Sequence, residues 1–321
     1  MSEATASVRN RRGRDATTPA QMTLKGWRDV VFRVKDKFIA DHVSVVAAGV
    51  AFFGLLAIFP AIVASISTAA LVLDPSQIST QLDAMLGALP GGAAEIISGQ
   101  VEDVLSDEER AGWTFALGLF LAIFAAARGM SSLIEGMNIA YDEEETRGFI
   151  QLTLLAIGLT LLATVTLVLA MSVTVVIPTI FSAVGYGDTA EAVLGIVRWP
   201  FLALLMLVGL AVLYRFGPDR SDAKWVWLTP GSILAVALWL IGTAAFTVYV
   251  ENFGSYNETY GSIGAVIVLL TWFWMSALIV MLGAEVNAEL EHQTKRDSTT
   301  GEPRPIGERG AVKADHVGPV P

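Results

Sequence analysis

The sequence contains no cysteine. Disulfides, thiolate nucleophiles and cysteine-ligated metals are therefore excluded, while the redox compartment stays open. Histidine is nearly as scarce: His42, His292 and His316 are too scattered to suggest a metal triad. No GxSxG, HExxH or P-loop pattern occurs, so neither an enzyme nor a bound metal or cofactor is expected. Charge is also sparse, with 16% of the 321 residues charged against 54% hydrophobic. The first 40 residues are polar and basic and lack an apolar core followed by a small-residue cleavage site, so no cleavable signal peptide is expected.

What the chain has is long apolar runs. Ser262 to Leu282 is 21 residues without a charge, enough at about 1.5 Å per residue to cross a hydrocarbon core of roughly 30 Å. Tyr256 and Tyr260 mark one interface of this span, and Glu285 and Glu289 share a helix face at the other. Val43 to Leu73 is uncharged over 31 residues and contains Pro60, which predicts a kink near Leu56–Pro60. Ala47, Ala48, Gly49, Ala51, Gly54 and Ala57 let neighbouring helices approach closely in this run. Further spans are read from Trp113 through Arg128, from Phe149 to Val184, from about Val193 to Phe216, and from Pro230–Gly231 to near Val250. Trp225 and Trp227 form an aromatic belt before the last of these. In the third span Thr153, Thr160, Thr164, Thr166, Ser172 and Thr174 can return hydrogen bonds to their own helix. The fold expected is all-α, a polytopic bundle of six transmembrane helices.

The remaining segments are polar. Residues 1–23, with Arg9, Arg11, Arg12 and Arg14, read as a disordered basic tail, and 292–321 as a second disordered tail. Between 24 and 40, Trp27, Val30, Val31, Val34 and Phe38 alternate with Lys25, Arg28, Arg33, Lys35 and Lys37. That pattern predicts either an interfacial helix attracted by anionic lipid headgroups or a helix packed on the ends of the bundle. The membrane domain proper is 41–291, with an acidic loop over 74–110. Nineteen Lys and Arg fall on the side of the termini and two opposite, which predicts that both termini are cytoplasmic. The formal net charge of −10 is segregated between loops, and no basic face suits nucleic acid outside the N-terminal tail.

Asn252-Phe253-Gly254, Tyr256, Thr259-Tyr260-Gly261-Ser262, Trp272 and Leu282-Gly283-Ala284-Glu285 with Asn287-Ala288 resemble the closing signature of the YihY/BrkB family of bacterial inner-membrane proteins. AAGVAFFGLLAIFP, ending at Pro60, resembles that family's first span. RGMSSLIEGMNIAYDEEETR, with Asn138 and Tyr141, resembles its second motif, and Tyr214-Arg215-Phe216-Gly217-Pro218 a third. The resemblance implies a multi-pass protein of the bacterial inner membrane. Some members have carried the name ribonuclease BN, an activity for which this sequence offers neither clustered metal ligands nor a basic groove.

Several residues carry two readings. Arg128 with Glu135 forms an intrahelical relay facing a cavity, or Arg128 snorkels to the headgroups while Glu135 sits in water. Glu285 and Glu289 gate or bind cations, or they solvate the helix end. Tyr256, Asn257 and Tyr260 line an outer gate or anchor a turn. Val184-Gly185-Tyr186-Gly187-Asp188 looks like a potassium-channel filter but follows a complete span, so an outer turn is the better reading. The leading expectation for function is translocation of a small or amphiphilic solute, a lipid among the possibilities, with a non-transporting scaffold as the alternative. The solute and the oligomeric state are not given by the sequence.

Overall fold

The computed structural model describes residues 12–72, 108–176, 188–252 and 262–320. Helices account for most of it: α1 (Leu24–Ala40), α2 (Val43–Val72), α3 (Glu108–Ala140), α4 (Phe149–Met171), α5 (Asp188–Phe216), α6 (Trp225–Asn252), α7 (Ser262–Glu291) and a single turn, α8 (Val312–Asp315). Among the described residues there is no strand, only one isolated bridge between Ala223 and Thr299. Among the described residues, five helices are long and apolar enough to cross a membrane, and a sixth span results if α1 and the start of α2, bent by 62° at their joint, count as one. The chain is an all-α polytopic membrane protein.

The helices form where the apolar runs predict them. In and just beyond α4, all six hydroxyls, Thr153, Thr160, Thr164, Thr166, Ser172 and Thr174, donate to the carbonyl four residues earlier at 2.7–2.9 Å. Each polar group is thereby satisfied inside its own helix, as an apolar surround demands. Pro60 lies within α2, which continues through it as helix. A bend of 62° lies at Asp41–His42, where His42 adopts a left-handed backbone (φ 49°).

The chain divides into two compact units. One comprises 47–132 and 241–277. Within it Ala47 and Ala51 are buried, a Cβ on Gly54 would lie 3.6 Å from the Phe273 ring, and one on Gly129 would lie 3.4 Å from Phe53 Cβ. The expected small-residue contacts of the first span are thus realised at these positions.

The other unit comprises 1–46, 133–240 and 278–321, and the last half of α7 organises it. The α3 helix reaches α7 where Gly136 lies under Met281. From α5, Tyr214 donates its hydroxyl to the Val280 carbonyl at 2.8 Å. At α6, Gly231 faces Gly283 so closely that a Cβ on either would strike the other's carbonyl oxygen. A core of Ala16, Met22, Val30, Val34, Trp227 and Leu290 then seats α1 on the ends of α6 and α7.

Three expectations change here. Trp227 is fully buried in that core rather than lying in an interfacial belt, because α6 starts at Trp225, before Pro230. Trp225, by contrast, is exposed. The N-terminal tail is folded from residue 12: Lys295 N–H donates to the Arg14 carbonyl at 2.9 Å, and the Gln293 amide donates to the Arg12 carbonyl at 2.9 Å. The C-terminal tail is folded over 292–320, with Ser298, Arg309 and Lys313 buried. Its order comes from hydrogen bonds and ion pairs: Arg309 alone donates to the carbonyls of Lys295, Arg304 and Ala314. Apolar content, the basis of the disorder expectation, does not register such contacts.

Helix α1 carries both faces that its sequence suggested. Gly26, Asp29, Val30, Arg33 and Val34 are buried against the unit. Leu24, Arg28, Val31, Phe32, Lys35 and Ile39 make an exposed stripe of mixed basic and apolar character. Thr23 caps the helix by accepting the Gly26 N–H at 3.2 Å.

Candidate functional site

Past its apolar run, α7 ends in Glu285, Asn287, Glu289 and Glu291, and all four are buried. Bare burial of three carboxylates would cost several kcal/mol each, so their partners define the site. Glu289 accepts from Arg33 Nε and, at 2.7 Å, from Lys313 Nζ, while Arg33 also donates to the Glu289 carbonyl at 3.0 Å. His292 Nδ1 lies 3.4 Å from the same carboxylate. Lys313 bridges onward to Asp142 at 2.8 Å, and Asp142 pairs with Lys37 at 2.6 Å. A chain of alternating charge therefore runs from α1 through the turn after α3 and the C-terminal tail to α7. The expectation that Glu289 solvates the helix end is corrected, since it is 1% exposed and paired from two sides.

Glu291 forms a second centre. Arg220 grips it in bidentate fashion, Nη1 at 3.1 Å and Nη2 at 2.7 Å, and Ser298 Oγ donates to it at 2.6 Å. The guanidinium also lies 4.7 Å from the Tyr141 ring centroid, a favourable cation–π placement.

A third cluster fixes the loop after α3. Asn138 donates to Glu145 at 2.9 Å and accepts the Asp219 N–H at 2.7 Å, while Arg147 donates to Glu145 through Nε and Nη2 at 2.7 and 2.6 Å. The Arg147 guanidinium holds the Glu145 carboxyl below its usual range. Burial works against Asp142, but the hydrogen bonds from Lys313 and Lys37 outweigh it and leave that group lowered too. A carboxylate lowered on folding stabilises the fold above its unfolded pKa, roughly 4, and that contribution fades as pH falls through the folded value. The apparent melting temperature is therefore expected to hold from about pH 7 to 5 and to drop below about pH 4; a profile flat to pH 3 would contradict this.

The remaining polar group of α7 near this web differs from its neighbours. Glu285 is fully buried, and neither carboxylate oxygen has a hydrogen-bond partner among the described residues. Two residues on, Asn287 Oδ1 accepts the Gly231 N–H at 2.8 Å, within the close α6–α7 crossing.

Asn138, Tyr141, Tyr214, Gly283, Glu285 and Asn287, singled out from sequence, thus fall in one unit around the end of α7. Arg128 and Glu135 do not join them. Both are exposed on the protein surface, and Arg128 lies over the Phe124 ring at 5.2 Å, so the cavity-facing relay is not formed. Pro60 and Trp272, whose ring is 5.5 Å from that of Phe273, belong to the other unit. Tyr256, Tyr260 and Gly261, with Asn257 and the Gly185-Tyr186-Gly187 turn, lie outside the described residues, as does the loop before Glu108. Sequence reading missed Arg33, Lys37, Asp142, Arg220, Lys313 and Glu291 as members of the site. The acidic run after Tyr141 was the one local signal, since nothing in the sequence pairs it with residues far along the chain. Among the described residues, no group of three His, Asp or Glu is arranged to hold a metal ion.

The family model described as Virulence factor BrkB matches residues 34–306. A ribonuclease-like protein of Bacillus subtilis, YfkH, is 31% identical over 257 residues, covering 78% of this chain and 90% of that protein. A UPF0761 membrane protein of Laribacter hongkongensis is 26% identical over 276 residues, covering 85% of this chain and 63% of its own. One of Tolumonas auensis is 35% identical over 102 residues, about a third of either chain. No solved structure matches.

Proposed function

We propose, from the premise that the chain belongs to the BrkB family of membrane proteins, that it translocates a small or amphiphilic solute across the membrane. The observation that carries this reading is Glu285, an unpartnered and fully buried carboxyl at the end of a membrane-crossing helix. A structural carboxylate at that depth would be paired, as Glu289 and Glu291 are; an ionisable side chain left unpaired in a membrane domain is the type of group that transport cycles use.

The ribonuclease-like wording belongs to the Bacillus subtilis relative. In this chain Glu289, Glu291 and Asp142 are each neutralised by Arg or Lys, the reverse of a site whose carboxylates converge to bind catalytic cations.

The test is flux of lipid and solute panels into liposomes holding the full-length protein, wild type against Glu285→Gln at matched incorporation. Wild-type flux above empty liposomes, reduced at least about tenfold in the variant (~1.4 kcal/mol), supports translocation through this region. The packed terminal segments favour a second reading, a non-transporting scaffold, and absence of flux from verified folded protein selects it.

A further inference from the structure

We propose that the outward face of α1 docks on anionic phospholipid, its basic side chains on the headgroup phosphates and its apolar side chains among the upper acyl carbons. The fold sorts the charges of this helix into two sets. Arg33 and Lys37 are taken by Glu289 and Asp142, and Asp29 pairs with Arg12 at 2.6 Å. Lys25, Arg28 and Lys35 are left exposed, without a carboxylate partner among the described residues. Of the exposed charges on α1, only Asp36 opposes them.

Large apolar groups share the same stripe. Leu24, Val31 and Ile39 are 89, 62 and 64% exposed, and Phe32 is exposed with the Arg28 guanidinium 5.7 Å from its ring centroid. Positions 24, 28, 31, 32, 35 and 39 step by 4, 3, 1, 3 and 4. At about 3.6 residues per turn that keeps them on one side of the helix, opposite the buried Val30, Arg33 and Val34. Water suits such a mixture poorly, whereas a membrane interface suits it well. There the stems of Lys and Arg lie along the acyl boundary while their charged heads reach phosphate.

Position favours lipid over a protein partner. The opposite face of α1 packs through Val30 and Val34 on the core of Trp227 and Leu290, at the ends of the membrane-crossing helices α6 and α7. That is the level at which those spans leave the hydrocarbon. Trp225, exposed two residues before Trp227, is an aromatic of the kind that settles in the headgroup layer. The seven charges among the 17 residues of α1 keep the helix itself out of the hydrocarbon. An anionic headgroup layer therefore meets the stripe at the right depth and complements its charge. The docking is independent of any solute movement, so the flux experiment can fail without it, and the converse.

The chain has no cysteine, so Val31→Cys gives a single attachment point for a fluorophore in the full-length protein. Reconstituted in phosphatidylcholine, the labelled protein is titrated with phosphatidylglycerol or phosphatidylcholine carrying a nitroxide near the top of the acyl chain, and quenching is read. Half-quenching by phosphatidylglycerol is expected at a mole fraction about tenfold lower than by phosphatidylcholine, given roughly fivefold for each Lys or Arg near an anionic surface. Replacing Lys25, Arg28 and Lys35 together by Gln should remove that preference. Salt at about 1 M, where the screening length is about 3 Å, should shrink it in the unreplaced protein, which keeps the test open if the triple variant misfolds. Equal quenching by the two lipids, or a preference unchanged by both the triple variant and salt, would overturn the proposal. So would absence of quenching by either, since the face would then lie in water or under another protein.

Discussion

Arg220→Ala destabilises the folded chain by about 3–5 kcal/mol, the cost of leaving Glu291 buried with Ser298 as its remaining donor. The side chains of this pair are 2% and 0% exposed, and the guanidinium fits the carboxylate through both Nη atoms. Removing the cation alone strands the charge, whereas removing both partners does not. The double variant Arg220→Met with Glu291→Leu should therefore recover most of the loss, because a hydrophobic pair of similar volume needs no desolvation of charge. Arg220→Lys should fall between, since an ammonium cannot reproduce the bidentate contact or its place on the Tyr141 ring. Equilibrium unfolding of purified protein in mixed micelles checks the series. A single variant no less stable than the double one would contradict the paired arrangement.

Gly231→Ala is the second large effect. Its new Cβ would meet the Gly283 carbonyl oxygen and come 2.5 Å from Asn287 Oδ1, the atom that accepts the Gly231 N–H. Backbone on one side and a hydrogen-bonded amide on the other leave nothing flexible to yield, so α6 and α7 must separate. Overpacking of about 1–3 kcal/mol adds to a buried hydrogen bond of roughly 1 kcal/mol. Gly158 in α4 is the control, because nothing lies within 4 Å of its Cβ position. Gly158→Ala should be neutral or stabilise the helix by up to roughly 1 kcal/mol. The same unfolding measurement separates the two; equal effects at both positions would show that the α6–α7 crossing is not close.

The spans were legible because their signal is local. Ser262–Leu282 advertises its helix by composition alone, and the Thr and Ser residues of α4 find their partners four residues back, within reach of sequence reasoning. Glu285 was legible as a candidate for the same reason, as a charge at the edge of an apolar run. The terminal segments were misread because disorder was inferred from scarce apolar residues. Arg309, Lys313, Thr294 and Ser298 order the tail by polar contacts to carbonyls and to the α7 carboxylates, which composition does not count. Trp227 was misread for a related reason: an aromatic at a span's edge serves a belt or a core according to what packs on it, and α1 packs on it.

Amide hydrogen exchange of the full-length protein in lipid tests most directly whether the terminal segments close over the end of α7. Lys295 N–H bonded to Arg14, Thr300 N–H to Asp222 and Gly318 N–H to His292 should exchange far more slowly than in an unfolded chain, with protection falling in Arg220→Ala. Exchange of all three at unfolded-chain rates in the wild type would contradict it.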